Sequence, residues 1–225
     1  MFKIEAMKKI RIWDLPTRLF HWALMLCVIG LVVSGKISGM ALDVHAVLGY
    51  AVLCLLLFRV LWGLVGGRWS RFAQFVPSPA RLGAYVSGRY ASPAGHNPLG
   101  ALSVLAMLAV LALQVASGLV INNEDNGFTG PLYAAAPGWL SDLAGHYHQD
   151  LGQLLLLSLV ALHVLAVAWH TWRHNPRIVH AMVNGDQEVA EDVEPSHDGF
   201  GKRLLALVLW SVCVAGVFWL VAPRV

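Results

Sequence analysis

The sequence predicts an all-α integral membrane protein, and two observations carry that prediction. Long uncharged runs recur along the chain, and the positive charges collect at one end of the helices those runs would form. Residues 99–121 are 23 positions without a charge, 151–169 are 19, 204–223 are 20 and 19–35 are 17. About 20 apolar residues cross the ~30 Å hydrocarbon layer as a helix. A fifth run, 45–67, is broken only by Arg59. Five spans are too many for the first to be a signal peptide, and no small-residue cleavage site follows it. The composition agrees. Of 225 residues, 57% are hydrophobic and 13% charged, with a mean hydropathy of +0.62, outside the usual range of soluble domains.

Lys and Arg orient the spans. Lys3, Lys8, Lys9, Arg11 and Arg18 precede the first span. Arg68, Arg71, Arg81 and Arg89 lie between the second and third, and Arg173, Arg177, Lys202 and Arg203 between the fourth and fifth. The opposite ends carry only Lys36 and Arg224. The positive-inside rule therefore places the N-terminus in the cytoplasm and the C-terminus outside. The net charge of +3 is then a topology signal. Nucleic acid would want a concentrated basic patch, which is absent.

In chain order, the first helix is expected over about 17–34, started by Asp14, Pro16 and Thr17. A short outer turn with Gly39 leads to a second helix from Asp43 to about Gly67. The cytoplasmic loop 68–96 holds Pro77, Pro79 and Pro93, with a short surface helix expected over 79–90. The third helix spans about 98–121. An outer loop with Glu124, Asp125 and Asp142 follows, its Tyr133 and Trp139 suited to a membrane interface. The fourth helix spans about 146–172, and residues 175–201 read as a polar cytoplasmic linker. The fifth helix closes the chain. Cys27, Cys54 and Cys213 fall inside spans as small apolar packing residues, and without a CxxCH motif nothing points to covalent c-type haem.

Histidine is poorly solvated by hydrocarbon, yet four histidines lie in or at the edge of spans at two matched depths. His45 and His148 share the outer level. His21 and His163 share the inner level. His163 follows His148 by 15 residues, about 22 Å of helix at 1.5 Å per residue, and the two face similar directions. Two histidine pairs stacked across a membrane are what two bis-imidazole haems require, and a large apolar macrocycle belongs between helices of a bundle. The alternatives are interhelical hydrogen bonds worth about 1 kcal/mol each and a proton relay. His146 competes with His148 but, 17 residues from His163, is turned about 100° away from the face of His163. Arg59 lies on nearly the face of His45 toward the inner end, and Arg18 one turn before His21. Both suit haem propionates. Arg59 alternatively snorkels, and Arg18 alternatively serves retention of the N-terminus. Gly30, Gly35, Gly49 and Gly152 either let a macrocycle approach the backbone or let helices pack closely.

The stretches WDLPTRLFHW (13–22), HAVLGYAVLCLLLFRVLWGLVG (45–66), GHNPLGALSVLAML (95–108) and LLLLSLVALHVLAV (154–167) resemble the bacterial cytochrome b561 family, in its branch of b-type cytochrome subunits of nickel hydrogenases. The resemblance covers about residues 10–190. It implies a four-helix transmembrane bundle over 1–190 holding two b-type haems, with His21, His45, His148 and His163 as axial ligands. Residues 191–201 are then a linker, and 202–225 an accessory fifth helix available to a second subunit or a second copy of the chain. The family places the helix-four pair closer to 14 residues apart than to the 15 here, which a small helix irregularity accommodates. It further implies a quinone site at the cytoplasmic end, with Asn97 beside His96 as the candidate. Asn before Pro is equally an ordinary helix-start signal.

The function expected on this reading is electron transfer across the membrane between a periplasmic redox protein, a c-type cytochrome or hydrogenase-like subunit, and quinone. The chain reads as an electron-transfer subunit ahead of a stand-alone enzyme. A superoxide:quinone oxidoreductase is the alternative within the family, with Lys36 a poor funnel for an anion. A haem-free histidine-based proton or metal transporter is the alternative outside it, disfavoured by the lack of internal repeats and interrupted helices. A structural anchor is a third.

Overall fold

The structure, a computed structural model, describes residues 8–37, 41–90, 94–123, 127–173, 177–189 and 193–222. Lys3, Gly39, Pro93, Glu124, Asp125, His174 and Arg224 lie outside the described residues. The elements run β1 (Lys8–Arg11), α1 (Leu15–Ser34), α2 (Ala41–Val65), α3 (Phe72–Phe75), α4 (Pro79–Val86), α5 (Pro98–Val120), β2 (Asn122–Asn123) and β3 (Phe128–Thr129), then α6 (Gly138–His146), α7 (Gly152–Arg173), α8 (Ile178–Asn184), β4 (Asp186–Val189) and α9 (Phe200–Val221). Among the described residues five helices are long and apolar enough to cross a membrane: α1, α2, α5, the continuous helix Gly138–Arg173, and α9. Their outward side chains, such as Leu26, Ile29, Leu165 and Phe218, are apolar, as a lipid-facing surface requires.

The chain is mostly helical rather than wholly so. β1 pairs antiparallel with β4, and β2 with β3. The first pairing sets Lys9 opposite Glu188 and Arg11 opposite Asp186, and such opposite-charge pairs across a ladder stabilise it. The stretch expected to be a linker therefore carries α8 and β4. α4 falls where a short surface helix was expected, with Pro79 in its first turn and the Ser78 hydroxyl accepting from the Arg81 N–H. α6 starts eight residues before the expected fourth helix, because Ser141, Asp142 and His146 interrupt the apolar run without interrupting the helix.

Two compact units divide the chain. The first comprises residues 1–19, 60–105 and 161–207. Its core joins Ile12, Trp13, Ala94, Ala181 and Val189, with Trp69 and Met182 against it. Asp14 is fully buried and takes four donors: the Thr17 N–H at 2.8 Å, the Trp62 indole at 3.2 Å, the Gly67 N–H at 3.2 Å and the Ser70 hydroxyl at 2.7 Å. The Thr17 bond is an N-cap, which starts α1 two residues earlier than expected. Gly185 ends α8 at φ +91°, a conformation open to glycine. Its carbonyl accepts from the Ile12 and Trp13 N–H groups, and a Cβ there would lie 2.5 Å from the Trp13 carbonyl oxygen. The Lys202 ammonium donates to the Val65 carbonyl at the end of α2, the favourable end for a cation.

Asp198 ties this unit together. It accepts from Arg11 at 2.9 Å and from Arg203 at 3.2 Å, with Arg18 at 3.9 Å and its own side chain 7% exposed. Burial alone would raise its pKa, but the hydrogen bonds from Arg203, the Leu15 backbone and Arg11 outweigh burial and lower it.

The second unit comprises residues 20–59, 106–160 and 208–225. Val52, Leu56, Leu111 and Leu156 form its core, with Leu24, Leu31 and Val115 against them. Cys54 and Cys213 are buried free thiols, the packing role expected of them. The Cys54 thiol sits 4.0 Å from the Cys213 carbonyl.

Two predictions follow from the Asp14 and Asp198 contacts. Asp14→Ala strips an acceptor from three buried donors beyond the cap, at about 1–3 kcal/mol for each buried group left unpaired. A marked loss of thermal stability in detergent is expected. For Asp198 the folded pKa is depressed, so its contribution is full above the ordinary carboxyl value of about 3.9. That contribution is lost as pH falls through the lower folded value. Asp198→Asn should cost stability at neutral pH and flatten the acid limb of a melting-temperature profile.

Candidate functional site

In the second unit, α2 and the turn joining α6 to α7 bring His45 and His148 together. Their ring centroids lie 6.1 Å apart with planes crossing at 76°. His45 Nδ1 is 3.0 Å from the Leu31 carbonyl, and His148 Nδ1 is 2.8 Å from the Gln114 carbonyl. A carbonyl oxygen only accepts, so each Nδ1 carries the hydrogen and donates it. Each Nε2 then keeps its lone pair, the form in which imidazole binds a metal.

The backbone around the rings is cut to fit them. A Cβ on Gly35 would lie 3.1 Å from His45 Cε1, and one on Gly118 would lie 2.9 Å from His148 Cε1. Gly49, one turn beyond His45, faces open space, whereas a Cβ on Gly30 would press on Leu48 and one on Gly152 on Gln114 and Tyr147. Gly49 thus has room beside it for a ring system, and Gly30 and Gly152 serve helix packing.

His148 sits in a π turn, Tyr147–Leu151. Such a turn inserts one residue into an α-helix and is frequent at functional sites. The π turn is an irregularity in the helix that carries His148. The Gln114 side-chain amide donates to the His148 carbonyl at 2.7 Å, supplying a carbonyl in this turn with a donor.

The other sequence-predicted residues fall as follows. His21 lies on α1 in the second unit, its ring edge-on to Trp22 at 5.1 Å. His163 lies on α7 in the first unit, half-buried. Arg59 is buried, 4% exposed, within α2. Arg18 donates to the Val183 carbonyl at 2.6 Å besides approaching Asp198. Asn97 caps α5, its side-chain oxygen accepting from the Gly100 N–H at 2.7 Å. His96 meets Trp13 edge-on at 4.7 Å and Phe75 at a tilt at 5.4 Å. His146 is solvent-facing beside Asp150 at 4.0 Å. Sequence reasoning did not single out Gln114, Ser34 or Ser117 around the histidine pair, and it read Asp14 as a helix start without its buried contacts.

Among the described residues no three His, Cys, Asp or Glu side chains are grouped to hold a metal ion. The pair is a two-nitrogen site. That donor set, with both tautomers fixed and backbone pared to glycine at each ring, fits the two axial positions of a haem iron. Gln114→Ala leaves a carbonyl of the π turn short of a donor, and a stability loss of about 1–3 kcal/mol is expected in a detergent melt.

Comparison with known proteins gives a family. A family profile described as prokaryotic cytochrome b561 matches residues 12–185. The chain is 21% identical over 208 residues to the probable Ni/Fe-hydrogenase 1 B-type cytochrome subunit of Escherichia coli (strain K12), covering 77% of this chain and 88% of the relative. It is 24% identical over 224 residues to the probable Ni/Fe-hydrogenase B-type cytochrome subunit of Azotobacter chroococcum mcd 1, covering 84% and 93%. The protein of the same description from Cupriavidus necator is 23% identical over 215 residues, covering 80% and 88%. No solved structure matches the chain.

Proposed function

The chain belongs to the prokaryotic cytochrome b561 family, and from that premise we propose that it is a dihaem b-type cytochrome. It carries electrons across the bacterial cytoplasmic membrane between a periplasmic redox partner and the quinone/quinol pool. Family membership makes it a multi-pass membrane protein of electron transport that holds b-type haem. The count of two haems, the partner and the quinone are the reading argued here.

The observation that carries it is the pair His45 and His148, 6.1 Å apart with both Nδ1 atoms committed to backbone carbonyls. When bound, a haem supplies one-electron chemistry. The protein's part is to hold and insulate it. His45 and His148 would hold the outer haem through their Nε2 lone pairs, beside the apolar core of Val52, Leu56, Leu111 and Leu156. His21 and His163 would hold the inner haem. That pairing rests on their matched depth in the sequence, with Arg59 as the partner of the inner propionates. Arg18 already engages Val183 and Asp198, which leaves it a smaller share of that role. The capping of α5 uses the Asn97 oxygen and leaves its amide hydrogens as donors for a quinone carbonyl, beside His96.

Relatives named as hydrogenase cytochrome subunits make a hydrogenase-type protein the redox partner proposed on the periplasmic side. The N-terminus and the loops rich in Lys and Arg are cytoplasmic by the positive-inside rule.

His45→Ala and His163→Ala test the assignment directly. Each is expected to remove one haem, and a different one, read as loss of distinct components in the reduced-minus-oxidised spectrum of purified protein. Loss of the same component in both would contradict the two-level arrangement. Retention of both haems in His45→Ala would contradict the outer site.

A further inference from the structure

We infer that Ser34–Gly35 beside the Leu31 carbonyl and Ser117–Gly118 beside the Gln114 carbonyl are two copies of one positioning device, which fixes the ring orientation of His45 and His148 and sets the potential of the haem they hold. The inference rests on the reading of those two histidines as axial ligands.

The two cradles present the same pair of atoms to each ring, a helix carbonyl and the oxygen of the serine three residues later, and differ in the carbonyl that takes the shorter bond from the serine hydrogen. In Leu31-Val-Val-Ser34-Gly35 the Leu31 carbonyl accepts from His45 Nδ1 at 3.0 Å, and the Ser34 oxygen lies 3.3 Å from the same nitrogen. In Gln114-Val-Ala-Ser117-Gly118 the Gln114 carbonyl accepts from His148 Nδ1 at 2.8 Å, and the Ser117 oxygen lies at 3.1 Å. Each serine spends its own hydrogen on its helix, Ser34 on the Gly30 carbonyl at 2.7 Å and Ser117 on the Gln114 carbonyl at 2.9 Å. Each serine oxygen therefore faces the imidazole N–H as a second acceptor. The glycine next in sequence clears the space the ring occupies.

The first cradle closes α1, so the Leu31 carbonyl belongs to the partially negative last turn of a helix, and the second lies one turn further in from the end of α5. Two acceptors on one N–H increase the electron density the ring offers through Nε2, as second-shell acceptors do for metal-bound histidine. That favours the ferric over the ferrous iron. The second cradle also gives α5, which supplies no ligand, a part in the outer site.

The test is a potentiometric titration of both haems in purified Ser34→Ala, Ser117→Ala, the double variant and Ser117→Thr, alongside His45→Ala. Removing a second acceptor should raise the midpoint potential of the haem that His45→Ala abolishes and leave the other unmoved. The shifts should add in the double variant, and Ser117→Thr should restore the original value. Gly118→Ala, which drives a methyl into the His148 ring, should alter the low-spin ferric resonance of the same haem or expel that haem. Unchanged potentials in both serine variants with haem content intact would overturn the inference and leave the ligand reading standing, as would equal shifts of both haems. Two haems retained in His45→Ala would overturn both.

Discussion

An imidazole N–H placed at membrane depth must be given an acceptor by the protein itself, because hydrocarbon offers none. In this chain the acceptors are the Leu31 and Gln114 carbonyls, and the outer site follows from that requirement. Committing Nδ1 to a carbonyl decides the tautomer. It also decides which nitrogen is left to bind. It needs a helix end close to each ring, which in turn needs glycine at 35 and 118. And it needs His148 to turn toward α5, which the π turn at Tyr147–Leu151 achieves at the cost of one residue of helical register.

The same demand shapes the first unit, with carboxylates in place of histidines. Among the described residues, the contacts of the buried Asp14 include no cation. Four neutral donors from α1, α2 and the turn after α2 carry its charge. Asp198 follows the other strategy, gathering Arg11 and Arg203, with Arg18 near by. Truncating one partner of a well-paired buried charge costs more than the pair contributes net. These two aspartates therefore fix where the N-terminal strand, the start of α1 and the segment before α9 meet. A stretch that reads as a polar linker is thereby made into a folded cap of α8, β4 and the chain around Ser196, whose hydroxyl donates to the Ile12 carbonyl.

Much of this was legible beforehand, for reasons that differ by element. The spans were legible because hydrocarbon imposes length and apolarity together, and α4 because Ser78 and Pro79 form a helix start. The pairing of His45 with His148 was legible because depth can be counted along a helix. β1 and β4 were not, since four-residue strands stabilised by cross-strand charges leave no apolar alternation to read. α6 was hidden by Ser141, Asp142 and His146, which break an apolar run but not a helix. The serine–glycine cradles were hidden more deeply. Ser-Gly also occurs at 87–88, where among the described residues Ser87 bonds carbonyls of its own helix and Arg89. Only the approach of an imidazole distinguishes the working copies.

The most direct measurement of the central claim is the haem b content per chain of the detergent-purified protein, by pyridine haemochrome against quantitative amino-acid analysis. Two haems per chain is the predicted result. A preparation that stays colourless after haem supplementation, while remaining folded and monodisperse, would contradict the account and return the four intramembrane histidines to proton transfer or helix packing.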